Sequence, residues 1–160
     1  MSDQKKLAII ATKGSLDWAY PPFILASTAA ALGYETQIFF TFYGLPLLRK
    51  QLHLEVTPPG NPGLPMPMGM DKWFPVLGTA LPGMQSMMTA MMKKKMKDKG
   101  VASIEELREL CQEAEVKLIA CQMTVDLFDM NPAEFIDGVE YAGAAAFFEF
   151  AGESDICLYI

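Results

Sequence analysis

The chain has 160 residues, 51% of them hydrophobic, and a formal net charge of −6 from 13 basic and 19 acidic side chains. That length suits one domain and that apolar fraction supports a sizeable core. The acidic balance removes the electrostatic basis for nucleic-acid binding, and the three irregularly spaced cysteines, Cys111, Cys121 and Cys157, argue against a disulfide framework and for a reducing cytoplasm.

The opening Met1-Ser2-Asp3-Gln4-Lys5-Lys6 lacks the pattern of a signal peptide and runs into a strand-like segment at 5–12, apolar enough to be buried on both faces. A turn at Thr12-Lys13-Gly14-Ser15 leads to a helix starting near Asp17 or Pro21 and ending at Leu32, with Gly33 as its stop. Pro21 and Pro22 suit only a first turn. The helix is apolar almost all round, which suggests cover from an oligomer interface. A second strand is expected at 34–42, a short helix from Gly44 to Leu52, and a weak third strand at 53–57. Residues 58–83 hold seven of the eleven prolines and five glycines, which forbids long regular elements. Their apolar side chains, Leu64, Met66, Met68, Met70, Trp73, Phe74, Val76 and Leu77, need something to pack on.

A helix follows at 84–99, with Met84, Met87, Met88, Met91 and Met92 on one face and a lysine cluster, Lys93 to Lys99, at its C-terminal end. Ser103-Ile104-Glu105-Glu106 is a capping box that opens a helix reaching Ala114. Strands are expected at 116–121 and 156–160. Between them lie a helix at 122–128, a short helical turn at Asn131-Pro132-Ala133-Glu134, and a helix starting at Gly138. The alternation of strand and helix argues for a mostly parallel sheet of five strands with helices on both faces. The whole is one domain over 1–160 with a Pro/Met-rich insertion at about 58–99.

In such a sheet, ligands bind beyond the carboxyl ends of the strands. Cys121 closes a strand there, and the helix behind it favours thiolate. Thr12, Lys13 and Gly14 follow another parallel strand and belong to the same edge. Lys13 can stabilise a thiolate and the backbone amides can hold an anion, although the turn lacks a phosphate-loop pattern and reads first as a plain turn. Cys111, on a helix stripe, and Cys157, inside an apolar strand, read as core thiols. His53 reads as a surface or structural residue, and Asp126 and Asp129 as a solvated helix face. Cysteine and histidine are spaced badly for zinc. Residues 73–92 carry no charge for 20 positions, which meets the length test for a membrane span. Pro75, Gly78, Pro82 and Gly83 oppose spanning and favour a Met-rich packing or oligomer surface, with peripheral membrane contact as the other use.

The segment Cys121-Gln122-Met123-Thr124-Val125-Asp126-Leu127-Phe128-Asp129-Met130 resembles the cysteine motif of the DsrE/DsrF-like family. Ala30-Ala31-Leu32-Gly33-Tyr34-Glu35, Phe39-Phe40-Thr41-Phe42-Tyr43-Gly44, Pro82-Gly83-Met84, Met91-Met92-Lys93-Lys94 and Gly138-Val139-Glu140-Tyr141 are similar to its larger stand-alone branch. The resemblance implies a three-layer α/β sandwich and a cytoplasmic, oligomeric sulfur carrier or sulfurtransferase. It also implies that Cys121 holds sulfur as a persulfide between donor and acceptor proteins, with Gln122, Met123 and Thr124 beside it as supporting residues. No metal or organic cofactor is required. A nucleotide- or anion-binding module and a membrane-associated structural subunit are the alternatives.

Overall fold

A computed structural model describes residues 4–58 and 81–160. Residues 59–80, which carry most of the Pro/Met-rich segment and part of the uncharged run at 73–92, lie outside the described residues. The described residues divide into two compact units, one built on 4–14, 18–53 and 103–160, the other on 15–17 with 54–58 and 81–102.

The first unit holds five parallel strands, β1 (Lys6–Ala11), β2 (Glu35–Phe40), β3 (Lys117–Cys121), β4 (Glu140–Ala142) and β5 (Ile156–Tyr159), in the order β4-β3-β2-β1-β5. The chain steps from β1 to β4 in one direction and then returns across the sheet to β5 at the far edge. The inner strands β1, β2 and β3 are mostly buried, including Thr36 and Gln37 of β2, because helices cover both faces. On one face lie α1 (Leu16–Ala31) and α3 (Ile104–Glu113). Phe23 of α1 meets Phe40 of β2 with ring centroids 5.8 Å apart, and the Cys111 thiol of α3 donates to the Phe23 carbonyl at 3.5 Å. Arg108, buried, donates to the carbonyls of Leu47 and Arg49 at 2.8 and 2.7 Å. That ties α3 to a 3₁₀ helix at Phe42–Leu48. On the other face α5 (Ala144–Ala151) sets Phe147 against Phe39 at 5.3 Å, in a cluster with Ala8, Ile119 and Cys121. The expected capping box is formed. Ser103 Oγ accepts from the Glu106 amide at 3.1 Å and Glu106 Oε2 accepts from the Ser103 amide at 2.7 Å.

Four expectations are corrected. The prolines lie in the second turn of α1, which begins at Leu16 rather than at them; Pro22 is fully buried. The helix absorbs the two donors they lack because packing, not propensity, holds it. Residues 53–57 form no strand. The segment after Gly138 is first the strand β4 and only then the helix α5, capped by Gly143. Gly138, at φ +83, turns the chain, and pairing with β3 outweighs the helical look of an alanine-rich run. Finally, β5 is an edge strand bonded to β1 alone, so Cys157 is exposed rather than in the core.

The second unit centres on α2 (Met84–Asp98). Its covered side is rotated from the expected methionine stripe: Met88 and Thr89 are buried, whereas Met87 and Met91 are exposed. The cause is polar. Thr89 Oγ1 accepts from the Val56 amide at 3.0 Å, and Gln85 Nε2 donates to the Val56 carbonyl at 2.9 Å. Those side chains satisfy the 54–57 backbone in place of a sheet neighbour. The Leu16 amide donates to Glu55 at 2.7 Å, and Asp17 accepts from the Thr57 amide and hydroxyl at 2.8 and 2.7 Å. Among the described residues no helix is long and apolar enough to cross a membrane.

Phe23 is the keystone between sheet and helices. Phe23→Ala is expected to cost about 3–5 kcal/mol, read as a lowered midpoint in urea unfolding.

Candidate active site

Cys121 is the last residue of β3 and the N-cap of α4 (Gln122–Leu127). The strand end aims its backbone out of the sheet, and the helix start leaves amides without intrahelical partners. The thiol is 5% exposed, covered by its immediate neighbours. Burial is the largest single influence on it and pushes its pKa up. The Thr124 and Thr41 hydroxyls and the Thr124 and Met123 amides beside it favour the anion, together outweigh burial and hold its pKa below the usual thiol value. Among the described residues no charged group takes part in this balance.

The supporting geometry is closely tied. Thr124 is fully buried. Its Oγ1 lies 3.2 Å from Thr41 Oγ1 and accepts from the Phe42 amide at 3.4 Å. A hydroxyl oxygen accepts two hydrogen bonds and donates one. Either hydroxyl can donate across this pair, so one of the two protons is used between them and the other is left for the Cys121 sulfur beside them. Thr41 is placed by its own amide, which donates to the Ala11 carbonyl at 3.1 Å. Two glycines let the loops after β1 and β2 touch. A Cβ on Gly44 would lie 2.2 Å from the Ala11 carbonyl oxygen, and one on Gly14 would lie 2.3 Å from that of Tyr43. Between them Phe42 sits at φ +47, a conformation that bulky residues adopt only when their surroundings impose it.

Phe42, Tyr43 and Phe128 form an exposed aromatic rim, with Phe128 5.9 Å from Tyr43 and 6.1 Å from Phe42. The Met123 and Leu127 side chains are exposed as well. The other residues singled out from sequence have separate engagements. Thr12 donates both its amide and its hydroxyl to the Ile160 carbonyl, at 2.8 and 3.0 Å. Lys13 Nζ rests over the Trp18 ring at 3.3 Å from its centroid, a cation–π contact. Gly14 serves close packing. Gln122 donates to Asp126 at 2.8 Å on the outside of α4, and His53 is exposed.

Thr41 and Phe42 were missed by sequence reasoning. They come from β2, and only the register that pairs Phe40 with Ala120 brings them beside Cys121. The other thiols differ in kind. Burial pushes the Cys111 pKa up to about 12. Cys157 is separated from Cys121 by two intervening strands, roughly 14 Å at the spacing of parallel strands. Within one chain that is beyond disulfide reach.

This is an α/β domain with a thiol set among neutral hydroxyls and amides at the carboxyl end of a parallel sheet. The DsrE/DsrF/DrsH-like family profile matches residues 3–159, and the chain belongs to that family. It is 89% identical over 158 residues to "Sulfur carrier protein DsrE2" of Allochromatium vinosum (strain ATCC 17899 / DSM 180 / NBRC 103801 / NCIMB 10441 / D), covering 99% of each chain. It is 36% identical over 167 residues to "Uncharacterized protein YrkE" of Bacillus subtilis (strain 168), across the whole of both. The crystal structure of the E. coli ychN protein shares the fold. Its TM-score is 0.56 at 13% identity, over 98% of this chain and 100% of that one.

Alkylation should separate the three thiols. Cys111 stays unmodified in the folded protein, and Cys121 ionises below the ordinary thiol range. Because neutral donors hold the thiolate, raising salt from about 0.05 to about 1 M should leave the pH profile of Cys121 in place. A cation-stabilised thiolate would titrate higher as salt is added, so peptide-resolved alkylation against pH at both salts checks the point.

Proposed function

We propose that this chain is a sulfur carrier that holds sulfane sulfur as a persulfide on Cys121 and passes it to a partner thiol. The observation that carries this reading is the setting of Cys121: a thiol at the sheet's carboxyl edge, held toward its anion by neutral hydroxyls and amides. The name of the 89% identical relative, a sulfur carrier protein, agrees with it.

The chemistry needs only the thiol. The Cys121 thiolate attacks the outer sulfur of a donor persulfide, R–S–SH. A sulfur–sulfur bond forms to Cys121 as the donor's own bond breaks, and R–S⁻ leaves. An acceptor thiolate then attacks the outer sulfur of Cys121–S–SH, takes it with its proton, and returns Cys121 as thiolate. Neither step has a net oxidation, so no metal, nucleotide or organic cofactor enters. Rates follow thiolate character, leaving-group quality and access. The partners are sulfur-donor and sulfur-acceptor proteins in the cytoplasm. The reading includes a homo-oligomer, supported by the apolar side chains Ile24, Leu25 and Leu32 that α1 leaves exposed.

Intact mass tests this. Reduced protein is incubated with inorganic polysulfide, for wild type and for each Cys→Ala variant. The expected result is a gain of one sulfur atom, removed by reductant and lost only in Cys121→Ala. Wild-type protein that stays folded and gains nothing, or a gain that survives Cys121→Ala, ends the proposal.

A further inference from the structure

We infer that the Thr41–Thr124 hydroxyl pair is a positioning device that stabilises the Cys121 sulfur as a leaving group when a carried sulfur is passed on; this rests on the carrier reading above. The pair is assembled from two strands. Thr41 follows β2, Thr124 lies in α4 behind β3, and their oxygens are 3.2 Å apart. Thr124 is fully buried, so its hydroxyl has no water to bond. Its oxygen receives the Phe42 amide at 3.4 Å. Either hydroxyl can donate to the other, and in both arrangements one proton of the pair is left for the sulfur, beside which the β2–β3 register sets Thr41.

The consequence differs between the two half-reactions. In uptake Cys121 is the attacking group. Donors to its sulfur raise the thiolate fraction but also lower its nucleophilicity, so they partly oppose themselves. In release the bond between Cys121 Sγ and the outer sulfur breaks, and its electron pair stays on Sγ. The negative charge then develops beside the proton that the threonine pair leaves free. That is the arrangement by which preorganised donors favour a charge-developing step, and a better-stabilised thiolate leaves faster. The apolar side chains clustered with Cys121 are Ala8, Phe39, Ile119 and Phe147, and among the described residues no charged group acts on its thiol.

The test compares wild type with Thr124→Val, Thr41→Val and Thr124→Ser, each checked for native circular dichroism. Three readouts are taken: alkylation of Cys121 against pH, loading by inorganic polysulfide, and release of the loaded sulfur to dithiothreitol. Thr124→Val should slow alkylation near neutral pH by about tenfold, the effect of losing a hydrogen bond to a charged sulfur. At a pH that ionises Cys121 in every variant, its alkylation should be no slower than wild type, while release remains severalfold slower. Thr41→Val should show the same pattern, because it breaks the same pair. Thr124→Ser, which keeps the hydroxyl, should restore both rates. A folded Thr124→Val protein with wild-type release and an unmoved alkylation profile overturns the inference. So does an equal loss at every pH, which would mark a damaged site rather than a lost donor. If wild type takes up no sulfur, the carrier reading fails and the release role falls with it. Normal loading with unchanged release sinks the threonine role alone.

Discussion

The register between β2 and β3 is the constraint on which the site depends. Pairing Phe40 with Ala120 means that the next residues out of the sheet are Thr41 and Cys121. Everything around the thiol is fixed from there. The Thr41 amide is held by the Ala11 carbonyl, and Gly44 and Gly14 let the neighbouring loops close to van der Waals contact. Phe42 is pressed into the left-handed region as the chain turns. A slip of one residue would exchange the faces of β2. Phe39 would then leave α5 for the helices opposite, and Phe40 would lose Phe23. The core packing therefore specifies the site: the same alternation that buries both rings brings the threonine hydroxyl to the sulfur.

Much of the fold was legible because parallel strands buried on both faces write themselves as apolar runs. β1, β2 and β3 read that way, and the Ser103 capping box fixed the start of α3. The failures came where context overruled pattern. β5 carries the same kind of run, Ile156-Cys157-Leu158-Tyr159, but lies at an edge. Apolar composition cannot tell an outer parallel strand from an inner one, so Cys157 looked buried. β4 is three residues long and precedes a run of alanines, so only its pairing with β3 identifies it. On α2 the covered side includes Gln85 and Thr89, because an irregular segment needed polar partners more than the helix needed a dry stripe.

The site was half visible. Cys121 stood out by its place at a strand end before a helix, a property of one stretch of chain. Its stabilisers are another matter. Local reasoning pointed to Lys13 and the turn after β1, since a cation is the common way to hold a thiolate. In the structure Lys13 faces Trp18, and among the described residues the groups that lower the Cys121 pKa are hydroxyls and amides. Thr41 lies eighty residues upstream of Cys121 in the sequence, and no spacing rule connects them.

That choice of stabiliser has a chemical logic. A lysine beside the thiol would attract any anion, including small sulfur oxyanions and the carboxylates of small thiols. Hydroxyls and amides act only at contact distance and along their bond directions. A neutral cradle behind an aromatic rim of Phe42, Tyr43 and Phe128 therefore adds little long-range attraction. It acts once a sulfur atom has reached Cys121, and it acts most on the sulfur that must carry charge. Long-range steering would have to come from elsewhere on an acidic protein, while the chemistry at Cys121 depends on a few short hydrogen bonds held in place by a sheet register.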